Sequence, residues 1–221
     1  MGDLRTIRVT GKGQVKLKPD MTRIYVTLSG LYKEYAETLS RSSEDTDKLK
    51  ELLAGYGFDR RDLKTLSFDV NTEYEGYQED GIWKQRFAGY RFNHVLKVEF
   101  DSDNELLGKM LYGLANSDLN PEIRLGYTVR DKEAARNELL GRAVKDAGEK
   151  AKVLATAAGV ALKDICTIDY SWGEADFETS PMRNMMMAKA AVADETMGYS
   201  MDIEPDDIQV SDSVTVVWEI E

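Results

Sequence analysis

The stretch Gly89-Tyr90-Arg91-Phe92-Asn93-His94-Val95-Leu96-Lys97-Val98-Glu99-Phe100-Asp101 decides how the rest of the chain is read. On an extended backbone Tyr90, Phe92, His94, Leu96, Val98 and Phe100 fall on one side, while Arg91, Asn93, Lys97 and Glu99 fall on the other. A period of two with apolar and polar sides predicts a long β-strand with one face on a core. Upstream, Leu66, Phe68 and Val70 alternate with Ser67, Asp69 and Asn71, and the stretch from Gly76 to Gly81 separates the two runs. That is a hairpin pattern, so the centre of the chain predicts antiparallel sheet.

Reading outward, Ile7 and Val9, then Val15 and Leu17, then Ile24, Val26 and Leu28 alternate with polar residues. Gly11 and Gly13 between the first two runs, and Pro19-Asp20 after the second, predict turns linking two or three strands. Amphipathic helices are expected from about Tyr35 to Tyr56, around Leu106 to Leu114, and from Lys132 to Ala158. The last has an alanine-rich buried stripe through Ala143, Ala147, Ala151, Leu154 and Ala155, which permits close approach to a partner, and Gly159 stops it. Shorter strands follow at Ile123 to Val129 and Ile165 to Tyr170, and the chain closes on alternating Ile208 to Ile220. Residues 173–205 hold six of the nine methionines without strand period, and predict a mobile Met-rich loop. The fold class is therefore α+β: antiparallel strands with a long central hairpin, packed against about three helices. One domain over residues 1–221, with room for two lobes, is the expected organisation.

Composition excludes several functions. The formal charge of −11 and a pI near 4.8 repel phosphate backbones, and no compensating basic patch is read, so no nucleic-acid partner is expected. No apolar window reaches the length of a membrane span. One cysteine and one histidine exclude an internal disulfide and ordinary Cys/His zinc sites. The amino terminus as written lacks an export signal, which reads as cytoplasmic, or as extracytoplasmic if a leader has been removed.

Few residues invite chemistry. Gly11-Lys12-Gly13 is followed by a strand pattern where a phosphate loop needs a helix, so a bulge or tight turn is the expected reading. His94 on the apolar strand face reads as a buried, satisfied histidine, and Cys166 as a small buried residue sharing the face of Ile168 and Tyr170. Met182, Met185, Met186 and Met187 offer thioethers for a partner or for soft Cu(I). Tyr74, Tyr77, Trp83, Phe87 and Tyr90 gather on the hairpin with charges of both signs, which suits an assembly contact better than a nucleic-acid platform. The interaction residues chosen are Trp83, Phe87, Met185, Met186 and Met187, and no cofactor, metal or catalytic residue is expected.

Four blocks together resemble the SIMPL-domain family of periplasmic immunogenic antigen-like proteins. They are Ile7 to Val15 closed by Pro19-Asp20, Gly89 to Asn93, Ala143 to Ala147 running through Lys150-Ala151 and Leu154-Ala155 to Gly159-Val160, and Val210 with Ser213 to Val216. The family commonly has a glycine soon after the proline of the last block, where this chain has Pro205-Asp206-Asp207. The resemblance implies an α+β fold, assembly into rings or channel-like oligomers in some members, loose links to stress responses, and no established catalytic set. It points to a non-enzymatic, self-associating structural or interaction protein. The competing expectations are a small-ligand or soft-metal binder using the Met-rich loop, and an enzyme of carboxylates alone, which would carry a carboxylate of raised pKa.

Overall fold

The computed structural model describes residues 5–170, 176–180 and 203–221. In chain order the elements are β1 (Thr6–Leu17), β2 (Met21–Tyr32), α1 (Tyr35–Ala54), β3 (Lys64–Glu79), β4 (Ile82–Asp101), α2 (Asn104–Ala115), β5 (Glu122–Thr128), α3 (Lys132–Ala158), β6 (Leu162–Asp169), β7 (Glu178–Thr179) and β8 (Ile208–Ile220). This is an α+β fold of three helices on antiparallel sheets. The chain divides into two compact units, one holding β1, α3, β6, β7 and β8, the other β2, α1, β3, β4, α2 and β5.

In the first unit the sheet order is β1-β8-β6, antiparallel throughout. Here one expectation is corrected: β1 is a single strand, paired without a break from Thr6↔Glu219 to Leu17↔Ile208, and Gly11 and Gly13 make no turn or bulge. They share the inward face with Val9 and Val15, and α3 lies directly on them. A Cβ on Gly11 would sit 2.1 Å from the Ala143 carbonyl oxygen, and one on Gly13 2.0 Å from that of Leu139. The glycines are what lets helix backbone touch strand backbone. On the helix side the contact is made by Ala143, Ala147, Ala151 and Ala155, all buried, while Leu154, expected in that stripe, is half exposed. Asp131 caps the start of α3 by accepting from the Ala134 N–H, and Gly159 at φ 66° ends it.

The same helix closes the free edge of β1. Thr10, Lys12 and Gln14 aim their backbone groups away from β8, and Lys150, Asp146 and Arg142 meet them in turn. The Lys12 N–H donates to Asp146 at 2.7 Å, Arg142 donates to the Gln14 carbonyl at 2.8 Å, and Lys150 reaches the Thr10 carbonyl at 3.5 Å. The match is geometric: four helical residues advance about 6 Å and two strand residues about 6.6 Å, so every fourth side chain of α3 meets every second residue of β1.

In the second unit the four strands are ordered β3-β4-β2-β5, with α1 and α2 on one face. β4 is the strand the quoted stretch predicts: Phe92, His94, Leu96, Val98 and Phe100 are buried and the residues between them less so. They pack with Ile24, Val26 and Leu28 of β2, Leu49 and Leu53 of α1, and Leu107, Met110 and Leu114 of α2. The Tyr127 hydroxyl lies within this core with no hydrogen-bond partner among the described residues, and burial pushes its pKa up.

Candidate interaction surface

The β3–β4 hairpin reaches beyond the helices that cover its base. Asp80 and Gly81, at φ 53° and 78°, form a two-residue turn between paired Glu79 and Ile82. Two successive positive φ values match the right-handed twist of the strands they join. The turn is thus shorter than the Gly76 to Gly81 span expected, and Gly76 lies within β3, with the Trp83 ring 3.8 Å from where its Cβ would be.

A register shift sorts the faces of the hairpin. Glu73 pairs with Gly89, but Tyr74 pairs with Phe87, so Ala88 is the extra residue. Gly89 takes φ 150°, and a Cβ there would lie 2.4 Å from the Tyr32 carbonyl oxygen, so no other residue fits without displacement. Beyond the bulge Tyr74 and Phe87 continue the core-facing side of Tyr90 and Phe92. Ring centroids step from Tyr35 to Tyr90 at 5.4 Å, from Tyr90 to Phe87 at 5.2 Å, and from Phe87 to Tyr74 at 6.1 Å, each edge to face. Trp83 extends the row toward the tip and is 74% exposed, with Tyr74 at 58% and Phe87 at 40%. A row that is core under α1 becomes surface once the helix ends.

The opposite face is ionic. Glu73 pairs with Arg91 at 2.9 Å, Glu75 with Arg86 at 2.6 Å and Glu79 with Lys84 at 2.6 Å, and the Arg86 guanidinium sits 5.5 Å from the Tyr77 ring centre. Exposed pairs of this kind add little stability. Their effect is to make the hairpin amphipathic, with one dry side and one wet side.

The other sequence candidates are placed as follows. Trp83 and Phe87 lie on the same aromatic face, whereas Met185, Met186 and Met187 fall outside the described residues, as does most of the expected loop. Two described parts of that loop contribute to cores: Phe177 is buried with Val15, Leu139 and Ile208 in the first unit, and Ile203 packs on the core of the second. His94 is buried and bonded at both ring nitrogens, to Thr46 at 3.0 Å and Thr65 at 2.9 Å. Cys166, expected buried, is exposed: it is the extra residue at the register shift between Ile165 and Thr167, in a strand whose Ile165 and Ile168 are themselves half exposed. Among the described residues no His, Cys, Asp and Glu cluster is placed to hold a metal ion, and no helix is long and apolar enough to cross a membrane. Among the described residues three carboxylates have displaced pKa values, all downward. For Glu99 burial favours the neutral acid, but hydrogen bonds from Arg23 and Lys97 outweigh it. Asp146 is held down by Lys150 and the Lys12 N–H, and Glu221 by Lys163.

Sequence reasoning found Tyr74, Trp83, Phe87 and Tyr90 of the aromatic cluster, but it placed Tyr77 with them, which lies on the ionic face beside Arg86, and it missed Tyr35 as the inner end and the Arg142-Asp146-Lys150 ladder. The i, i+4, i+8 spacing of that ladder on α3 was the available signal.

Comparison with known proteins supplies the context. A profile of the SIMPL family, described as a protein of unknown function (DUF541), matches residues 7–218. This chain belongs to the SIMPL family. The 26 kDa periplasmic immunogenic proteins of Brucella abortus (strain S19) and Brucella melitensis biotype 1 are each 30% identical to it over 166 residues, 73% of this chain and 65% of theirs. The chain thus spans just under two thirds of the curated relatives it matches. The regulatory subunit of aspartate kinase from Thermus flavus aligns over 96% of this chain and 90% of its own at 9% identity, with a TM-score of 0.17, too low for any argument. In this SIMPL chain the recognised blocks have packing roles: Gly11 and Gly13 receive α3, the alanine helix supplies the other side, and Gly89 turns the hairpin past Tyr32.

Proposed function

We propose that this SIMPL protein is a non-enzymatic structural protein that associates with copies of itself through the aromatic face of the β3–β4 hairpin. The observation that carries the reading is the row from Tyr35 through Tyr90, Phe87 and Tyr74 to Trp83, which continues a core face into solvent without a covering element among the described residues. The centres of contact surfaces are enriched in large aromatics and depleted of charge, which is the composition of this face. β3 carries a bulge at Leu66 and charged flanks, devices that discourage strand addition, so the contact is assigned to the face and not to the edge. A part in stress responses rests on the family resemblance alone. The named relatives are periplasmic proteins, which favours the extracytoplasmic alternative for this chain, and cell fractionation tests it. The self-association reading is tested by light scattering on the eluting protein across a hundredfold range of concentration. A defined mass of several protomers is expected, and a monomer at every concentration overturns it.

A further inference from the structure

His94 is the chain's single histidine, and it ties three elements together. It projects from β4 between α1, which offers the Thr46 hydroxyl to Nδ1, and β3, which offers the Thr65 hydroxyl to Nε2. The bonding order fixes the tautomer. Thr46 Oγ1 already donates its hydrogen to the Ser42 carbonyl at 2.7 Å, so toward the ring it can only accept, and the proton sits on Nδ1. Nε2 is then the acceptor, and Thr65 the donor. Among the described residues no carboxylate bears on the ring: β3 sets the Phe68 ring edge to face at 5.1 Å, β2 pairs Leu28 opposite, and the charged group bearing on the ring is Lys50 of α1, of like sign.

We infer that His94 is a pH-sensitive hold on the first half of β3: protonation of its ring loosens that edge strand from α1 and β4 under mildly acidic conditions. A proton on Nε2 ends its role as acceptor and obliges the Thr65 hydroxyl to reverse. It also leaves a buried cation without a carboxylate. The strand that can yield is β3, which lies at the sheet edge and is already irregular between Thr65 and Ser67, where Leu66 is half exposed. Opening there lets water reach the ring. Burial and Lys50 both lower the folded pKa from the ordinary 6.5, so the neutral ring is the form the fold prefers. The inference does not depend on the assembly reading, since the ring and its partners lie under α1 and not on the aromatic row.

The test is nuclear magnetic resonance on the full chain between pH 7.5 and 5, following the ring nitrogens of His94 and amide protection of residues 67–70 corrected for intrinsic exchange. The ring should titrate below 6.5 from the Nδ1–H tautomer, and protection in β3 should fall by up to about tenfold per pH unit below 6.5 until the folded pKa is passed. Amides of β1 and α3 should hold steady over the same range. His94→Gln, which keeps an amide in place of the ring, should flatten the β3 profile. A ring pKa at or above 6.5, β3 protection that does not change with pH, or an equal fall in His94→Gln would each overturn the inference; should that variant not fold, the ring titration of the unmodified protein decides alone.

Discussion

The outer edge of β1 and the aromatic face of the β3–β4 hairpin are two surfaces on which another chain could add, and the protein treats them in opposite ways. The β1 edge has backbone donors and acceptors in register for strand addition, and α3 closes them one by one with Arg142, Asp146 and Lys150. The hairpin carries exposed aromatic side chains, and among the described residues its row is left open from Tyr74 to Trp83. Exposed edges recruit other strands indiscriminately, while a side-chain surface selects its partner by shape. The difference teaches that assembly, as proposed, is directed to one place by closing another.

The contrast can be broken most severely at its glycines. Gly13→Val drives a side chain into the Leu139 carbonyl and should destabilise the first unit by about 3 kcal/mol or more in urea unfolding. Gly76→Ala in the hairpin meets only an ordinary contact with Trp83, and should stay within about 0.5 kcal/mol. Equal effects would show that β1 does not depend on helix contact.

Replacing Arg142, Asp146 and Lys150 together by serine should leave the fold intact and open the β1 edge. Turbidity and mass should then rise with concentration in the triple variant, beyond anything the unmodified protein does. An unchanged association profile would mean that the ladder protects nothing.

The elements differ in how readily their readings come from the sequence. The alternation of Tyr90 to Phe100 and the spacing of Ala143 to Ala155 report burial directly, because each element is covered along a whole face. Gly11 and Gly13 mislead, since glycine reads as a breaker, although their parity with Val9 and Val15 marks them as inward residues of one strand. Cys166 misleads for the opposite reason: alternation implies an unbroken ladder under a covered face, and β6 has a register shift at this residue and is exposed along both faces. In α1, Leu39 is exposed and Thr38 buried, because Thr38 satisfies its hydroxyl on the Glu34 carbonyl at 2.9 Å. At the hairpin, composition marks Trp83 and Phe87, but which side they share is set by the extra residue Ala88, which no period announces.

Acidification should separate the two units. His94 has a folded pKa below 6.5, so the unfolded chain binds its proton first, and the stability of the second unit should decline as pH falls below 6.5 and level off beneath the folded value. Asp146 and Glu221 of the first unit have pKa values held below 3.8 and 4.5, so their contributions persist above those values and are lost only as pH falls through the lower folded ones. Hydrogen exchange resolved by segment should therefore show β3 and β4 softening at a higher pH than β1 and α3; the reverse order would contradict the assignment. One substitution is expected to be a gain. Tyr127→Phe removes a buried hydroxyl that has no partner among the described residues, and should raise stability by about 1 kcal/mol in the same unfolding assay.

The central claim, that copies meet through the aromatic face while the β1 edge stays closed, is tested most directly by the native mass of Trp83→Ser/Phe87→Ser beside that of the unmodified protein. Both side chains are largely or half exposed, so the double variant should unfold at the same urea concentration and yet elute as a monomer, where a defined oligomer is expected of the unmodified protein. The same mass for both proteins would contradict the account.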